Sequence, residues 1–347
     1  MSTFNQDAWE LIAECLSAHP EYQSHGKIWL PQPEPCDSLL EILKSLDSKK
    51  LEITQSFKPF YHSLKAFGSP AIVDSHAEKC SLVLLVPTRQ KIESLGLMAQ
   101  GLLNLKDDGR LIFACANAQG AGSFVSHLKQ VIDGLEVESG NKCKWAVIAK
   151  NQIKDRAPLE EWIKAAGPMM VEGSPFQSVP GIYGWNKIDR GSEILLSTLP
   201  ILDGVGADFG SGYGYLSHSL LSASPKVNTL HLIEADQRAL DCSEKNLSTW
   251  KERCRFHWLD IADRNSMAPI KELDWIVMNP PFHEGRDSEL SLGKNFINAA
   301  ARALGPSGQL FMVSNAFLPY EDVLKMNFKN TRRILVSDGF KVIHAER

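Results

Sequence analysis

The sequence predicts an α/β protein built from two tandem Rossmann-like domains, each a mostly parallel sheet flanked by helices. Three observations predict it. Short apolar runs alternate with amphipathic segments, the pattern of a parallel sheet with helical crossovers. The chain has 347 residues, which suits two domains of about 150–190 residues better than one. The two halves also share a pattern. Residues 81–87 (SLVLLVP), a helix and residues 107–117 (DDGRLIFACAN) parallel residues 275–281 (WIVMNPP), a helix and residues 306–315 (PSGQLFMVSN). A duplicated domain is the reading, and the first copy carries Val86-Pro87-Thr88-Arg89 where the second carries Asn279-Pro280-Pro281-Phe282.

Composition limits the function classes. Hydrophobic residues make up 44% and charged residues 22% of the chain, enough apolar material for a core in each half. No run of about 18 apolar residues occurs, so no membrane span is expected. The first residues, MSTFNQDAWELIAECL, lack a basic n-region and do not read as a secretory signal. Seven cysteines without metal-ligand spacing suggest free thiols in a reducing cytoplasm. The formal net charge of −4 argues against a protein that coats nucleic acid non-specifically, though not against one local basic face.

In the first half, the first 60 residues read as helical and mixed, with a helix in residues 34–47. Residues 79–87 and 111–116 are buried strands, 90–105 an amphipathic helix and Asp108-Gly109 a turn. Residues 123–132 read as a helix and 144–149 as a strand. The first domain spans 1–151, and 152–184, rich in Pro, Gly and charge with a short helix near 159–166, reads as a linker. In the second domain, 185–347, helices are expected at 191–199, 215–223, 237–250, 292–304 and 320–326. Strands are expected at 206–209, 229–234, 255–259, 273–278, 309–314, 333–336 and 340–344.

The chemistry concentrates in this second half. Asp208-Phe209-Gly210-Ser211-Gly212-Tyr213-Gly214 follows a strand and opens a helix, the place where a doubly wound sheet seats a nucleotide-like cofactor. Gly210, Gly212 and Gly214 let a ligand approach the backbone, and Asp208 can accept from a cationic amine or a bridging water. Glu234 ends the next strand, where an acid can take both ribose hydroxyls. A dinucleotide fingerprint would need glycine at 215, and the residue there is Tyr215.

Asn279-Pro280-Pro281-Phe282 is the most specific signal. Two prolines stiffen the loop and remove two backbone donors. The acceptors of Asn279 and Pro280 can then hold a planar amine so that its lone pair faces a methyl donor, which is catalysis by orientation and electrostatics. Phe282 offers a face for stacking a base. His283 follows and is assigned no catalytic role. Planar amines of this kind occur on guanine N2, adenine N6 and glutamine N5, and a non-enzymatic RNA-binding assembly factor with a vestigial pocket is the alternative outside catalysis.

The DxGxGxG turn resembles that of S-adenosylmethionine-dependent methyltransferases, in which Asp260, at the end of the third strand, would reach the adenine amino group. Further motifs add Pro180–Tyr183, Asp189-Arg190-Gly191-Ser192, NPPFHEG at 279–285 and NAFLPY at 315–320. With these the chain resembles the bacterial ribosomal RNA guanine-N2 methyltransferases of the small-subunit type, the RsmC-like family. The resemblance implies two tandem methyltransferase domains with seven-stranded sheets, the first degenerate and engaged with RNA. It implies S-adenosyl-L-methionine as cofactor, Asn279, Pro280 and Phe282 as catalytic residues, and 16S rRNA or the small subunit as partner, with the protein a cytoplasmic monomer. A sister family acts on large-subunit rRNA with the same architecture. Arg286, Lys294, Arg302, Lys325, Lys329, Arg332 and Arg333 are candidates for an RNA-facing surface.

Overall fold

In a computed structural model the described residues are 5–23, 26–66, 71–72, 79–280 and 286–347. The chain forms two compact units, residues 1–168 and 169–347. In the first, β1 (Ile28–Pro31), β2 (Leu51–Thr54), β3 (Ala71–Ile72), β4 (Cys80–Leu85), β5 (Leu105–Ala116), β6 (Glu138–Gly140) and β7 (Cys143–Ala149) form one sheet in the order β3-β2-β1-β4-β5-β7-β6. In the second, after a small hairpin of β8 (Met169–Met170) and β9 (Gln177–Ser178), the strands are β10 (Gly204–Phe209), β11 (Val227–Glu234), β12 (Cys254–Trp258), β13 (Leu273–Met278), β14 (Leu304–Asn315), β15 (Asn330–Ser337) and β16 (Phe340–Glu346). Their order, β12-β11-β10-β13-β14-β16-β15, repeats the first sheet strand for strand. Only the last two strands of each sheet run antiparallel to their neighbours.

The central strands are largely apolar because helices cover both faces of each sheet. Along β13, Ile276 and Met278 feed one core with Phe209, Ile297 and Met312, while Trp275 and Val277 feed the other with Leu230, Leu232 and Phe311. The first unit divides in the same way: Leu82 and Leu84 enter one cluster, Val83 and Leu85 the other. This is the two-residue period of a strand buried on both sides.

The duplication reaches a detail of register. Between β4 and β5 the pairing passes from Cys80↔Leu105 to Leu82↔Arg110, and between β13 and β14 from Leu273↔Leu304 to Trp275↔Gln309. Asp108-Gly109 is therefore not a turn but part of this irregularity inside β5. Gly308 holds the corresponding place in β14. A Cβ there would lie 2.8 Å from the Leu273 carbonyl oxygen, so the strands close up only over glycine.

Most second-half elements fall where the sequence places them, β13 and the helix Tyr215–Ala223 to the residue. The segment 237–250 divides into a helix Gln237–Asn246 and a 3₁₀ stretch from Ser248. In the first 60 residues the helix Asp37–Ser45 is flanked by the strands β1 and β2, four residues each. The stretch 152–184 is shared between the units. Its helix Ala157–Ala166 packs on Lys91–Leu103, with Gly96 facing Ala166 so closely that a Cβ would sit 2.3 Å away, and the β8–β9 hairpin belongs to the second unit. All seven cysteines are buried and outside disulfides, with the thiols of Cys15 and Cys115 pushed up to about 11 and about 12 chiefly by burial.

Strand register also shows what stands at the first copy's sheet end. Leu30, Gln55 and Val86 occupy the strand-end positions of Asp208, Glu234 and Asn279. In place of the glycine turn the chain reads Gln32-Pro33, and its own side chains fill the sheet end. Gln55 Nε2 donates to the Pro33 carbonyl at 2.9 Å, while Gln32 Oε1 accepts from the Ser56 amide and hydroxyl at 3.0 and 3.1 Å.

Two outcomes follow. Titration calorimetry with S-adenosylmethionine gives one site per chain, and a stoichiometry near two contradicts the filled first sheet. In urea melts Gly308→Ala destabilises the chain by about 1–3 kcal/mol through overpacking. Gly122→Ala, in the helix Ala121–Val131 with open space at its Cβ, gains up to about 1 kcal/mol of helix propensity.

Candidate active site

Parallel strands in register deliver their next residues to one edge. Phe209 pairs with Ile233 on one side and Met278 on the other, so Gly210, Glu234 and Asn279 leave the sheet at one level. Asp260 follows β12 two residues past Trp258, the partner of Glu234. The edge is the crevice at the carboxyl ends of the strands, where open α/β sheets bind ligands.

The turn is built for close approach. Gly210, Gly212 and Gly214 have φ of +78°, +55° and +90°, a region that L side chains avoid. A Cβ on Gly212 would meet no protein atom within 4 Å and would project into open space, whereas one on Gly214 would lie 2.7 Å from Ser243 Oγ. Gly212 thus leaves room for a ligand, and Gly214 lets the turn close on the helix Gln237–Asn246. Gly214 is also the N-cap of the helix Tyr215–Ala223, and Tyr215 and Leu216 of its first turn line the cleft at this edge, where a helix N-terminus suits an anionic or polar group.

The acids around the turn have distinct surroundings. Asp208 is 1% exposed. Its Oδ2 accepts from the Ser217 hydroxyl at 2.6 Å, and its Oδ1 is buried with no partner. Burial pushes its pKa up to about 7, with the nearby Glu234 adding to the rise and Ser217 opposing it. Glu234 is raised as well, first by desolvation, although amide hydrogen bonds pull the other way. Its Oε2 accepts from the Gly212 amide at 2.8 Å, and its Oε1 from the Ala235 and Asp236 amides at 2.7 and 3.0 Å. Glu234 therefore fixes the turn, and ribose hydroxyls would share oxygens that already accept. Asp260 Oδ1 accepts from the Ala262 amide at 2.8 Å.

A cleft at this edge is lined by Tyr183, Gly184, Asp189, Ser192, Gly210, Ser211, Gly212, Tyr213, Tyr215, Leu216 and Asn279. It brings together three of the expected residues, Gly210, Gly212 and Asn279. Asp208 lies beneath, Gly214 and Glu234 buttress the turn, and Asp260 stands on the neighbouring strand end. Pro280 is buried. Phe282 and His283 lie outside the described residues.

Sequence reasoning missed the groups that hold Asn279. Its Nδ2 donates to Asp189 Oδ1 at 2.6 Å and to Ser192 Oγ at 2.9 Å, while its Oδ1 is buried without a partner. Asp189 is also the N-cap of the helix Arg190–Leu196, accepting from the Ser192 amide at 2.8 Å. The available signal was Asp-x-x-Ser before an apolar helix, which marks a helix start but does not name its distant partner.

A cofactor of the S-adenosylmethionine type fits these observations. The open space at Gly212 admits it, and the unpaired buried atoms Asp208 Oδ1, Ser211 Oγ and Asn279 Oδ1 await partners. Among the described residues no group of three or more His, Cys, Asp or Glu could hold a metal.

This fold and turn define the methyltransferase small domain, and the model of that domain matches residues 173–344. Curated relatives carry the name ribosomal RNA small subunit methyltransferase C. The Shigella sonnei protein is 31% identical over 282 residues, covering 80% of this chain and 79% of that protein. An Escherichia coli O81 protein is 30% identical over the same coverage, and the Vibrio parahaemolyticus protein 26% over 299 residues, 84% of each chain. The chain belongs to the ribosomal RNA small subunit methyltransferase C family. Its fold is that of the T. thermophilus 16S rRNA N2 G1207 methyltransferase, solved with AdoMet and guanosine, at a TM-score of 0.76 and 23% identity over 95% of this chain and 92% of that one.

The environment of Asp208 predicts a pH signature. Its pKa is about 7 in the fold against an ordinary 3.8, so it takes up a proton on folding between those values. Its contribution favours the fold below about pH 4 and is lost as pH rises to about 7, a change on the order of 4 kcal/mol. In urea melts across this range the stability of Asp208→Asn relative to the parent rises with pH and levels off above about 7. A difference that stays flat or falls contradicts the buried, unpaired oxygen.

Proposed function

We propose that the second unit transfers a methyl group from S-adenosyl-L-methionine to the exocyclic N2 amine of a guanine in 16S rRNA of the small ribosomal subunit. The observation that carries this reading is the buried, unpaired Oδ1 of Asn279 at the cleft. Membership of the family supports it, as do the side chains that fill the first unit's sheet end.

Bound S-adenosylmethionine would supply an electrophilic sulfonium methyl. Gly210, Gly212, Glu234 and Asp208 form its seat, and Asp260 stands where an adenine amino group would donate. Guanine N2 is a poor nucleophile because its lone pair is delocalised into the ring. Asn279 Oδ1 accepts one of its hydrogens and the Pro280 carbonyl the other, which turns the lone pair toward the methyl group. Phe282 stacks on the base, offsetting part of the few kcal/mol needed to unstack it from RNA. Lys294, Arg302, Lys325, Lys329, Arg332 and Arg333 are exposed and supply phosphate contacts, with Arg286 as a further candidate. Among the described residues no helix is long and apolar enough to cross a membrane. The protein in this reading is a cytoplasmic monomer with reduced thiols.

The test incubates the protein and labelled cofactor with small subunits and with 16S rRNA from a strain lacking the gene. Large-subunit RNA, DNA and release factor run in parallel. Nuclease digestion and mass spectrometry are expected to find N2-methylguanosine in 16S rRNA only; label in adenine or in protein refutes the assignment. Asn279→Ala lowers kcat by about 100-fold or more, as loss of an orienting acceptor does, with cofactor Kd within about twofold. Phe282→Ala weakens RNA use by about 5- to 150-fold, the equivalent of a lost base stack, and leaves cofactor Kd unchanged.

A further inference from the structure

We propose that Asp189, assisted by Ser192, is a positioning residue that locks the Asn279 amide with its oxygen toward the substrate amine. The inference rests on the reading of Asn279 given above and concerns what makes that side chain competent. A primary amide has two nearly isosteric ends, one accepting and one donating. If it turned over, NH₂ would face NH₂ on the base, and the planar amine would lose its acceptor. Something in the protein has to distinguish the ends.

The geometry assigns that task to Asp189. A carboxylate oxygen only accepts, so the group 2.6 Å from Asp189 Oδ1 is the NH₂ of Asn279. Ser192 Oγ, at 2.9 Å, takes the other hydrogen of the same NH₂. Both amide hydrogens are thereby used and the oxygen is left pointing away, buried and unpaired. The carboxylate is itself held. Its Oδ1 also accepts from the Ser192 amide at 2.8 Å, and its Oδ2 from the Tyr183 hydroxyl at 3.2 Å. The Tyr183 phenol is shifted upward, first by desolvation and then by Asp189, and so remains a donor.

One oxygen thus serves two purposes. It caps the helix Arg190–Leu196 and it clamps a residue 90 positions away in sequence. The start of that helix sets the attitude of the Asn279 side chain, and Asp189, Ser192 and Asn279 all line the cleft.

The substitutions can separate cap from clamp. Asp189→Ser keeps a good N-cap residue but is too short to reach Asn279. Asp189→Asn keeps an oxygen in place of Oδ1. Ser192→Ala removes only the second acceptor. Full-length variants are compared for kcat on small-subunit RNA, cofactor Kd by calorimetry and melting temperature. Asp189→Ser is expected to lower kcat about 10- to 100-fold, the scale of a misplaced catalytic group, with cofactor Kd within about twofold. Asp189→Asn recovers the larger part of that loss, and Ser192→Ala gives a smaller fall of the same kind. In an Asn279→Ala background Asp189→Ser has little further effect, because the group it positions is gone. The proposal is overturned if Asp189→Ser leaves kcat unchanged, if kcat falls only in step with cofactor affinity or melting temperature, or if Asp189→Asn restores nothing. Losses that multiply in the double variant also overturn it. Should Asn279→Ala be too slow to measure, the three single variants decide the matter. An Asn279→Ala enzyme with the parental rate refutes instead the reading of the catalytic loop.

Discussion

A buried acceptor without a donor costs about 1–3 kcal/mol, and the second sheet keeps such atoms at one edge. Asp208 Oδ1 and Asn279 Oδ1 are both in this condition, and Ser211 Oγ lies between them in the chain, also unpaired. Elsewhere polar groups at this edge are satisfied within the protein: both oxygens of Glu234 and both amide hydrogens of Asn279 have partners. Three unpaired atoms, Asp208 Oδ1, Ser211 Oγ and Asn279 Oδ1, thus stand where the proposed ligands would bring hydrogens. The fold accepts local instability there, and burial in a close-packed doubly covered sheet supplies the stability to carry it.

The first unit shows the same scaffold with the corresponding strand ends closed. Its sheet has the same strand order and the same register irregularity. Apolar Leu30 and Val86 replace Asp208 and Asn279, and Gln55 turns its amide onto the Pro33 carbonyl rather than onto a ligand. Three strand-end positions and the turn after the first strand separate the second sheet from one closed by its own side chains. The shared architecture is thus a property of the apolar pattern, while the chemistry belongs to a few residues at one edge.

The parts of this arrangement that are local in sequence were legible. The glycine turn, β13 stopping just before Asn279 and the repeated strand pairs all declare themselves within a dozen residues, since turn chemistry and two-residue periodicity are short-range properties. Two kinds of feature were not. The four-residue strands Ile28–Pro31 and Leu51–Thr54 are too short to establish a period, and Asp108-Gly109 looks like a turn because a bulge uses the same residue types as one. The clamp on Asn279 joins positions 90 and 87 residues apart. Asp189 and Ser192 advertise a helix start, and only the fold reveals what else they touch. Glu234 was legible as an acid at a strand end, but the three amides that it holds depend on the folded turn.

These two levels of information meet at Asn279. Pro280 restricts the backbone after β13, a restriction written locally. It does not determine which end of the Asn279 amide faces outward, because a rotation about its last side-chain bond exchanges oxygen and nitrogen with little change in shape. That choice needs an acceptor-only group on one side, and Asp189 provides it from another segment. An amine recognised by two acceptors needs them oriented before it arrives, since reorienting them during the reaction would forfeit much of the electrostatic benefit. Pro280 supplies stiffness and the helix start supplies polarity, and the proposed reaction requires both.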